Sequence, residues 1–162
     1  MLALLDAAHE RGVPAIADVP GSLLRSAIDA GASHVKPNRA ELAEATGMAD
    51  PVAAARSLAG RGATALASLD AEGLVLVDER RAVAAALDRP LEGNTTGAGD
   101  AAVAALAACL AEGEADPHAI AHRCALWSAA AVLHPLAGSI GAPDDPVLAA
   151  LAERIRTRDL EA

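Results

Sequence analysis

At 162 residues, with 53% hydrophobic against 22% charged side chains, the chain has the length of one domain and enough apolar mass for a substantial core, which excludes disorder. A formal charge of -9 disfavours nucleic acid and anionic membranes as partners. An aromatic content of 1%, Trp127 alone, removes base stacking as a binding strategy. Cys109 and Cys124 stand singly in apolar surroundings with no CxxC pair, the pattern of buried free thiols in a reducing cytoplasm rather than of a metal site.

In chain order, Leu2, Leu4, Leu5 and Ala8 recur at helical spacing until Gly12. Asp6 and Glu10, with no early positive charge, argue against a signal peptide. Val13 to Val19 predicts a buried strand ending near Asp18, and Pro20-Gly21 a turn, with Ser22 capping a helix that runs to Ala30. Ser33 to Lys36 predicts a second strand, broken by Pro37-Asn38. Helices follow over Arg39 to Thr46, closed by Gly47, and from Asp50-Pro51 to the glycines at 60 and 62. Thr64 to Leu69, Leu74 to Val77 and Ala82 to Leu87 read as strands joined by short turns. The apolar run 101–111 is far short of the roughly 20 residues a membrane helix needs. Asp116-Pro117 opens a helix to about Leu133. Pro143 to Arg156 has Val147, Leu148, Leu151 and Ile155 at helical spacing, and the polar end from Thr157 reads as frayed. Strand–helix alternation in the first half implies parallel strands with helices on the faces, an α/β fold. The chain begins inside this pattern, without a unit that resembles an opening edge.

The most informative stretch is Gly93-Asn94-Thr95-Thr96-Gly97-Ala98-Gly99-Asp100, set directly before the alanine-rich run. Glycines permit a tight loop, alanines favour a helix, and a helix start offers unpaired N–H groups to an anion. Asp100 then lies beside an anion site, where a carboxylate is suited to taking a proton. Its bland reading is a helix cap. The spacing matches neither GxxxxGK[ST] nor GxGxxG, which leaves a dinucleotide-dependent oxidoreductase without its fingerprint.

Lys36-Pro37-Asn38-Arg39-Ala40-Glu41 follows a strand end, where open α/β sheets bind ligands. Lys36 is a point charge suited to phosphate. Asn38 and Glu41 either supply oxygen ligands to a hydrated Mg²⁺ or form a capping box. Ser68 to Gly73 by itself is an ordinary turn. His118 and His122 share a helical face but have no third ligand, so they read as surface residues. Asp144-Asp145 before Pro146 reads as a cap.

Asn94 to Asp100 resembles the C-terminal signature of the ribokinase-like, PfkB-type carbohydrate kinases. Lys36-Pro37-Asn38-x-x-Glu41-Leu42 is similar to a second element of that family, in the form of its 1-phosphofructokinase and tagatose-6-phosphate kinase branch. Ser68-Leu69-x-x-x-Gly73 sits where the family has a nucleotide loop, and Asp18-Val19-Pro20-Gly21 resembles an earlier element. The resemblance implies a ribokinase-like three-layer α/β/α sandwich, with residues 1–157 as its C-terminal nucleotide-binding and catalytic part and 158–162 as a tail. The N-terminal half and its lid would be missing.

The resemblance also implies roles. Asp100 would be the general base, and the N–H groups of Gly97, Ala98 and Gly99 the anion hole. Lys36 would touch the ATP phosphates, and Asn38 and Glu41 would organise Mg²⁺. Ser68, Leu69, Asp70, Ala71, Glu72 and Gly73 would wrap the nucleotide, and His134 would face the adenine from the segment 130–138. Asp70 stands where the family usually has glycine. The implied reaction is phosphoryl transfer from ATP to a hydroxyl of a sugar phosphate, of the fructose 1-phosphate or tagatose 6-phosphate type, in the cytoplasm. The chain would then be weakly active or inactive by itself, pairing with an N-terminal half or forming a homo-oligomer. The alternative is a non-catalytic nucleotide-binding or assembly fragment.

Overall fold

A computed structural model describes residues 2–161. Met1 and Ala162, the last position of the expected tail, lie outside the described residues. The elements are α1 (Leu2–Glu10), β1 (Ile16–Ala17), α2 (Gly21–Asp29), β2 (His34–Val35), α3 (Arg39–Thr46), α4 (Pro51–Ala59), β3 (Thr64–Ser68), β4 (Leu74–Val77), β5 (Ala82–Leu87), α5 (Ala98–Glu112), α6 (Pro117–Leu133), α7 (Pro146–Ala152) and β6 (Ile155–Asp159). A 3₁₀ turn, Asp70–Glu72, links β3 to β4. The strands form one sheet in the order β1-β2-β3-β4-β5-β6.

β1, β2 and β3 are parallel, with Ile16 opposite His34 and His34 opposite Thr64. Parallel neighbours require crossovers, which α2 and then α3 with α4 supply in sequence. β4 and β5 need none, because residues 78–81 turn the chain directly. There the Asp78 carboxylate accepts the N–H groups of Arg80 and Arg81, each at 2.7 Å. The α/β class is therefore the one the chain adopts.

Several ends differ from expectation. The first strand shrinks from 13–19 to Ile16–Ala17, since Pro14 has no N–H to give a ladder and Val13 is exposed. Helix α2 starts at Gly21 with Pro20 at the cap position and no side-chain cap, so Ser22 does not cap it. The reason is packing: a Cβ at Gly21 would stand 2.5 Å from the Glu41 carbonyl oxygen. The helix expected over 143–156 divides. Asp145 caps α7 through the Val147 N–H (2.8 Å), and α7 ends at Ala152. Ile155-Arg156-Thr157-Arg158-Asp159 alternates in burial and forms β6, so residues 158 and 159 belong to a strand and not to a frayed tail. Arg154 Nε donates to Asp88 (2.9 Å), and this guanidinium hydrogen bond holds the Asp88 carboxyl below the usual carboxylate range.

The described residues pack as two units, 2–70 with 75–82 and 159–161, and 71–74 with 83–158. In the first, Leu24, Val35, Leu42, Leu58 and Leu66 are buried core. In the second, Ala129, Ala130 and Leu151 pack with Leu87, Leu91, Leu126, Ile140 and Leu148. Cys109 on α5 and Cys124 on α6 are buried free thiols, as expected. Burial pushes both upward, Cys124 to about 12, so neither is a reactive thiolate near neutral pH.

His34 on β2 titrates with folding. Its Nδ1 lies 2.9 Å from Ser33 Oγ, and burial holds its pKa below the ordinary 6.5. The unfolded imidazole takes up a proton that the folded one refuses. Its contribution to stability is therefore complete above 6.5 and is lost as pH falls from there toward the folded value. Melting temperature is expected to drop from about pH 7.5 to about pH 5.5, with a shallower drop in His34→Asn. An identical slope in the variant would assign the effect to other groups.

Candidate functional site

In the second unit the loop before α5 is fixed by backbone contacts. The Asn94 N–H donates to Val132 O (3.1 Å), and Asn94 Oδ1 accepts the Thr96 N–H (3.0 Å). A Cβ at Gly93 would stand 2.2 Å from Val132 O, and one at Gly97 2.4 Å from the Gly138 nitrogen. Gly97, at φ +82°, is the N-cap of α5 and Gly138 has φ +73°. Two glycines in the left-handed region thus bring the loop against the segment after α6.

Asp100 occupies the first turn of the 15-residue α5 and is not its cap, which disposes of the capping reading. The carboxylate is exposed and makes no hydrogen bond or ion pair among the described residues. The N–H groups of Gly97 and Gly99 also make no backbone hydrogen bond among the described residues, while Ala98 N–H donates to Thr95 O at 3.2 Å. Free donors and the positive end of a helix can hold an anion, and the adjacent carboxylate can accept a proton. His134 ends α6, and its Nδ1 accepts the Leu136 N–H (3.1 Å). His118 and His122 are half-buried and not surface residues. Their rings contact Thr157 Oγ1 (2.9 Å) and the Ala152 carbonyl (3.1 Å), tying α6 to β6 and to the end of α7.

In the first unit, Lys36 continues past β2, its N–H donating to Ala17 O (3.1 Å). The residue is 7% exposed and is the buried charge among the described residues, and Nζ lies 3.4 Å from an oxygen of Asp18. The chain then pairs onward across Pro37. Ser68 N–H donates to Pro37 O (3.0 Å), and Asn38 and Ser68 form a parallel bridge. Lys36, Asn38 and the start of the 68–73 turn are therefore neighbours, set side by side by the sheet. Asn38 and Glu41 form the full capping box, with Glu41 N–H to Asn38 Oδ1 at 2.9 Å and Asn38 N–H to Glu41 Oε2 at 2.8 Å. The alternative reading thus describes their ground state, and the other Glu41 carboxylate oxygen has no part in the box.

Leu69 is buried under the turn and Asp70 is exposed at its start. Asp70 has φ +55°, the one positive φ outside glycine among the described residues, and its carboxylate lies 3.8 Å from Arg39 Nε. In the second unit, Gly73 has φ +87°, and a Cβ there would stand 2.2 Å from Ala85 O. Ala71 and Glu72 are exposed.

Three of these contributors, Asp18, Arg39 and Gly138, lie in stretches the sequence points to, but their contacts are not legible there. Asp18 and Arg39 carried no spacing signal, since their partners come from other segments. Gly138 had a signal, a glycine just past a long helix. Asp18→Ala is expected to cost about 2 kcal/mol in urea unfolding, because it leaves the buried Lys36 ammonium without its carboxylate, a cost moderated by the partial solvation of Asp18 in the native pair. Asp18→Asn removes the same charge but keeps the shape and an oxygen that can accept from Lys36, so it should cost less, and equal costs would place the loss in the charge rather than in packing.

Among the described residues no three His, Cys, Asp or Glu side chains could hold a metal by themselves, and no helix is long and apolar enough to cross a membrane. A family model described as pfkB family carbohydrate kinase matches residues 1–144. The Bifunctional protein HldE of Pseudomonas syringae pv. tomato is 34% identical over 129 residues, 74% of this chain and 26% of its own length. Phosphofructokinase-2 from Escherichia coli, solved with substrates and products, is 27% identical with a TM-score of 0.76, over 94% of this chain and 50% of its own. Aminoimidazole riboside kinase from Salmonella enterica, at 24% identity and a TM-score of 0.74, supports the fold over 93% of this chain and 56% of its own. The chain thus spans about a quarter of the HldE protein and about half of the kinases of known structure.

Proposed function

Because the chain belongs to the pfkB family of carbohydrate kinases, we propose that it transfers the γ-phosphoryl group of ATP to a hydroxyl of a sugar phosphate, of the fructose 1-phosphate or tagatose 6-phosphate type. The observation that carries this reading is the Asp100 carboxylate, exposed and without a partner among the described residues, in the first turn of α5 directly after a left-handed glycine cap. Phosphoryl transfer asks for positioning, charge stabilisation and a base, and little covalent chemistry. Asp100 accepts the sugar hydroxyl proton as that oxygen attacks phosphorus. The Gly97 and Gly99 N–H groups hold the oxygens of the group in flight, and Ala98 joins them by giving up its 3.2 Å bond to Thr95.

Lys36 neutralises phosphate charge, reached from its pair with Asp18. Asn38 and Glu41 suit Mg²⁺ held through water: the donors are hard oxygens, and too few for a protein-only site, so the ion comes with the triphosphate. When bound, Mg²⁺ supplies charge neutralisation to the phosphates. Residues 68–73 wrap the nucleotide, and His134 lies toward the adenine. The nucleotide-binding and catalytic part, expected over 1–157, is extended to residue 159 because β6 runs to Asp159, and the compartment is assigned to the cytoplasm, in keeping with two reduced thiols.

A second reading has its own support. The chain covers about half of phosphofructokinase-2, and a nucleotide-binding part without enclosing sugar contacts would bind ATP and turn it over weakly or not at all. A second copy or a complementary half would supply those contacts. ATP consumption with fructose 1-phosphate and tagatose 6-phosphate, alongside ATP calorimetry, tests both. Acceptor-dependent turnover supports the kinase, binding without turnover the second reading, and no binding overturns both.

A further inference from the structure

Both cations beside the Asn38–Ser68 bridge are paired with acids from other segments. Lys36 pairs with Asp18 at 3.4 Å and Arg39 with Asp70 at 3.8 Å. The two pairs differ. Lys36 is buried, so its acid keeps a charge inside the fold. Arg39 is half-exposed on the first turn of α3, and the side chain of Asp70 is 85% exposed. Solvent alone would accommodate both of these, so the fold has no need of the pair.

The backbone nevertheless bears a cost at Asp70. Its φ of +55° belongs to the left-handed region, which a non-glycine residue enters at roughly 1 kcal/mol or more. Aspartate is among the side chains that tolerate it best, and asparagine shares that tolerance. The parallel bridge of Asn38 with Ser68 fixes where this strained carboxylate stands, two residues past the bridge and facing Arg39. A phosphate seated by the Lys36–Arg39 stretch would have to displace Asp70 from the guanidinium, or share the cation with it.

We infer that Asp70 is a specificity-determining residue, a built-in competitor for Arg39 that penalises nucleotides in proportion to the charge of their phosphate chain. The inference rests on the nucleotide reading above. The penalty is largest for free ATP, smaller for ADP and for Mg²⁺-complexed ATP, and absent for adenosine. Because the competing groups are solvated, salt reduces it.

The test measures dissociation constants of the full chain for ATP, ADP and adenosine, with and without Mg²⁺, by calorimetry. Asp70→Asn keeps the left-handed backbone and removes the charge. It is expected to tighten free ATP about tenfold, ADP less, and adenosine not at all, with the ATP gain shrinking as KCl is raised. Asp70→Gly should reproduce the gain, and Arg39→Gln in the Asp70→Asn background should erase most of it. Thermal melts confirm that each variant is folded. Unchanged ATP affinity in Asp70→Asn overturns the inference, as does an equal gain for adenosine or a gain that survives Arg39→Gln. Those outcomes leave the nucleotide reading intact. A folded wild-type chain that binds neither ATP nor ADP overturns the reading and the inference together.

Discussion

Asp100→Asn is expected to lower acceptor-dependent phosphoryl transfer by about 10² to 10⁴-fold while the protein stays folded and keeps its affinity for ATP. The amide has the shape of the carboxylate but cannot take the proton that the attacking hydroxyl must lose. Structural cost should be small, because Asp100 is exposed and does not cap α5. What it loses is a favourable anion near the positive end of the helix, about 0.5 kcal/mol. ATP affinity should hold or rise slightly, since a negative charge leaves the neighbourhood of the phosphates. Rates, melting temperature and ATP dissociation constant measured together separate the possibilities. A variant with unchanged rate would place the base elsewhere, and one that unfolds would return Asp100 to a structural role.

Gly97→Ala is expected to be the most destabilising single change in the glycine loop, and Gly113→Ala provides its control. Both glycines are left-handed helix caps of α5, one at each end, with φ of +82° and +73°. Alanine therefore pays a similar conformational cost at either position, about 1 kcal/mol. The surroundings differ. Nothing lies within 4 Å of a Cβ at Gly113, whereas at Gly97 it would meet the Gly138 nitrogen at 2.4 Å and Cα at 2.5 Å. Backbone cannot rotate away as a side chain can, so Gly97→Ala should cost roughly 3 kcal/mol or more in urea unfolding and loosen the anion-binding turn with it. Equal costs at the two positions would mean that the 134–141 segment yields freely and does not brace the loop.

Local signals were legible where one segment decides its own structure. Asn38 and Gly47 bracket α3, Asp50-Pro51 opens α4 and Asp116-Pro117 opens α6, because caps act within a few residues. Asp100 and its glycines stood out for the same reason. What escaped the sequence was decided by distant partners. Ile155 fits the helical period of Val147, Leu148 and Leu151, yet a place beside β5 made it strand. Gly21 became a helix start because Glu41 packs against it, and Asp18 became a partner because Lys36 is buried within reach. The histidines of α6 read as surface in the sequence because the group that half-covers His118, Thr157 on β6, comes from a distant part of the chain.

The first unit has a consequence for the order in which the chain folds. Most of it lies in residues 2–70, but it also includes 159–161, and Arg56 binds the carbonyls of Leu160 (3.2 Å) and Glu161 (2.8 Å) across separations of 104 and 105 residues. Closing so long a loop costs entropy before these bonds repay it, and such distant pairings slow folding. Residues 71–74 and 83–158 fall between the three parts of that unit, so their collapse shortens the loop that Arg56 must close. The bonds from Arg56 to residues 160 and 161 are therefore expected to be the last of the first unit to close.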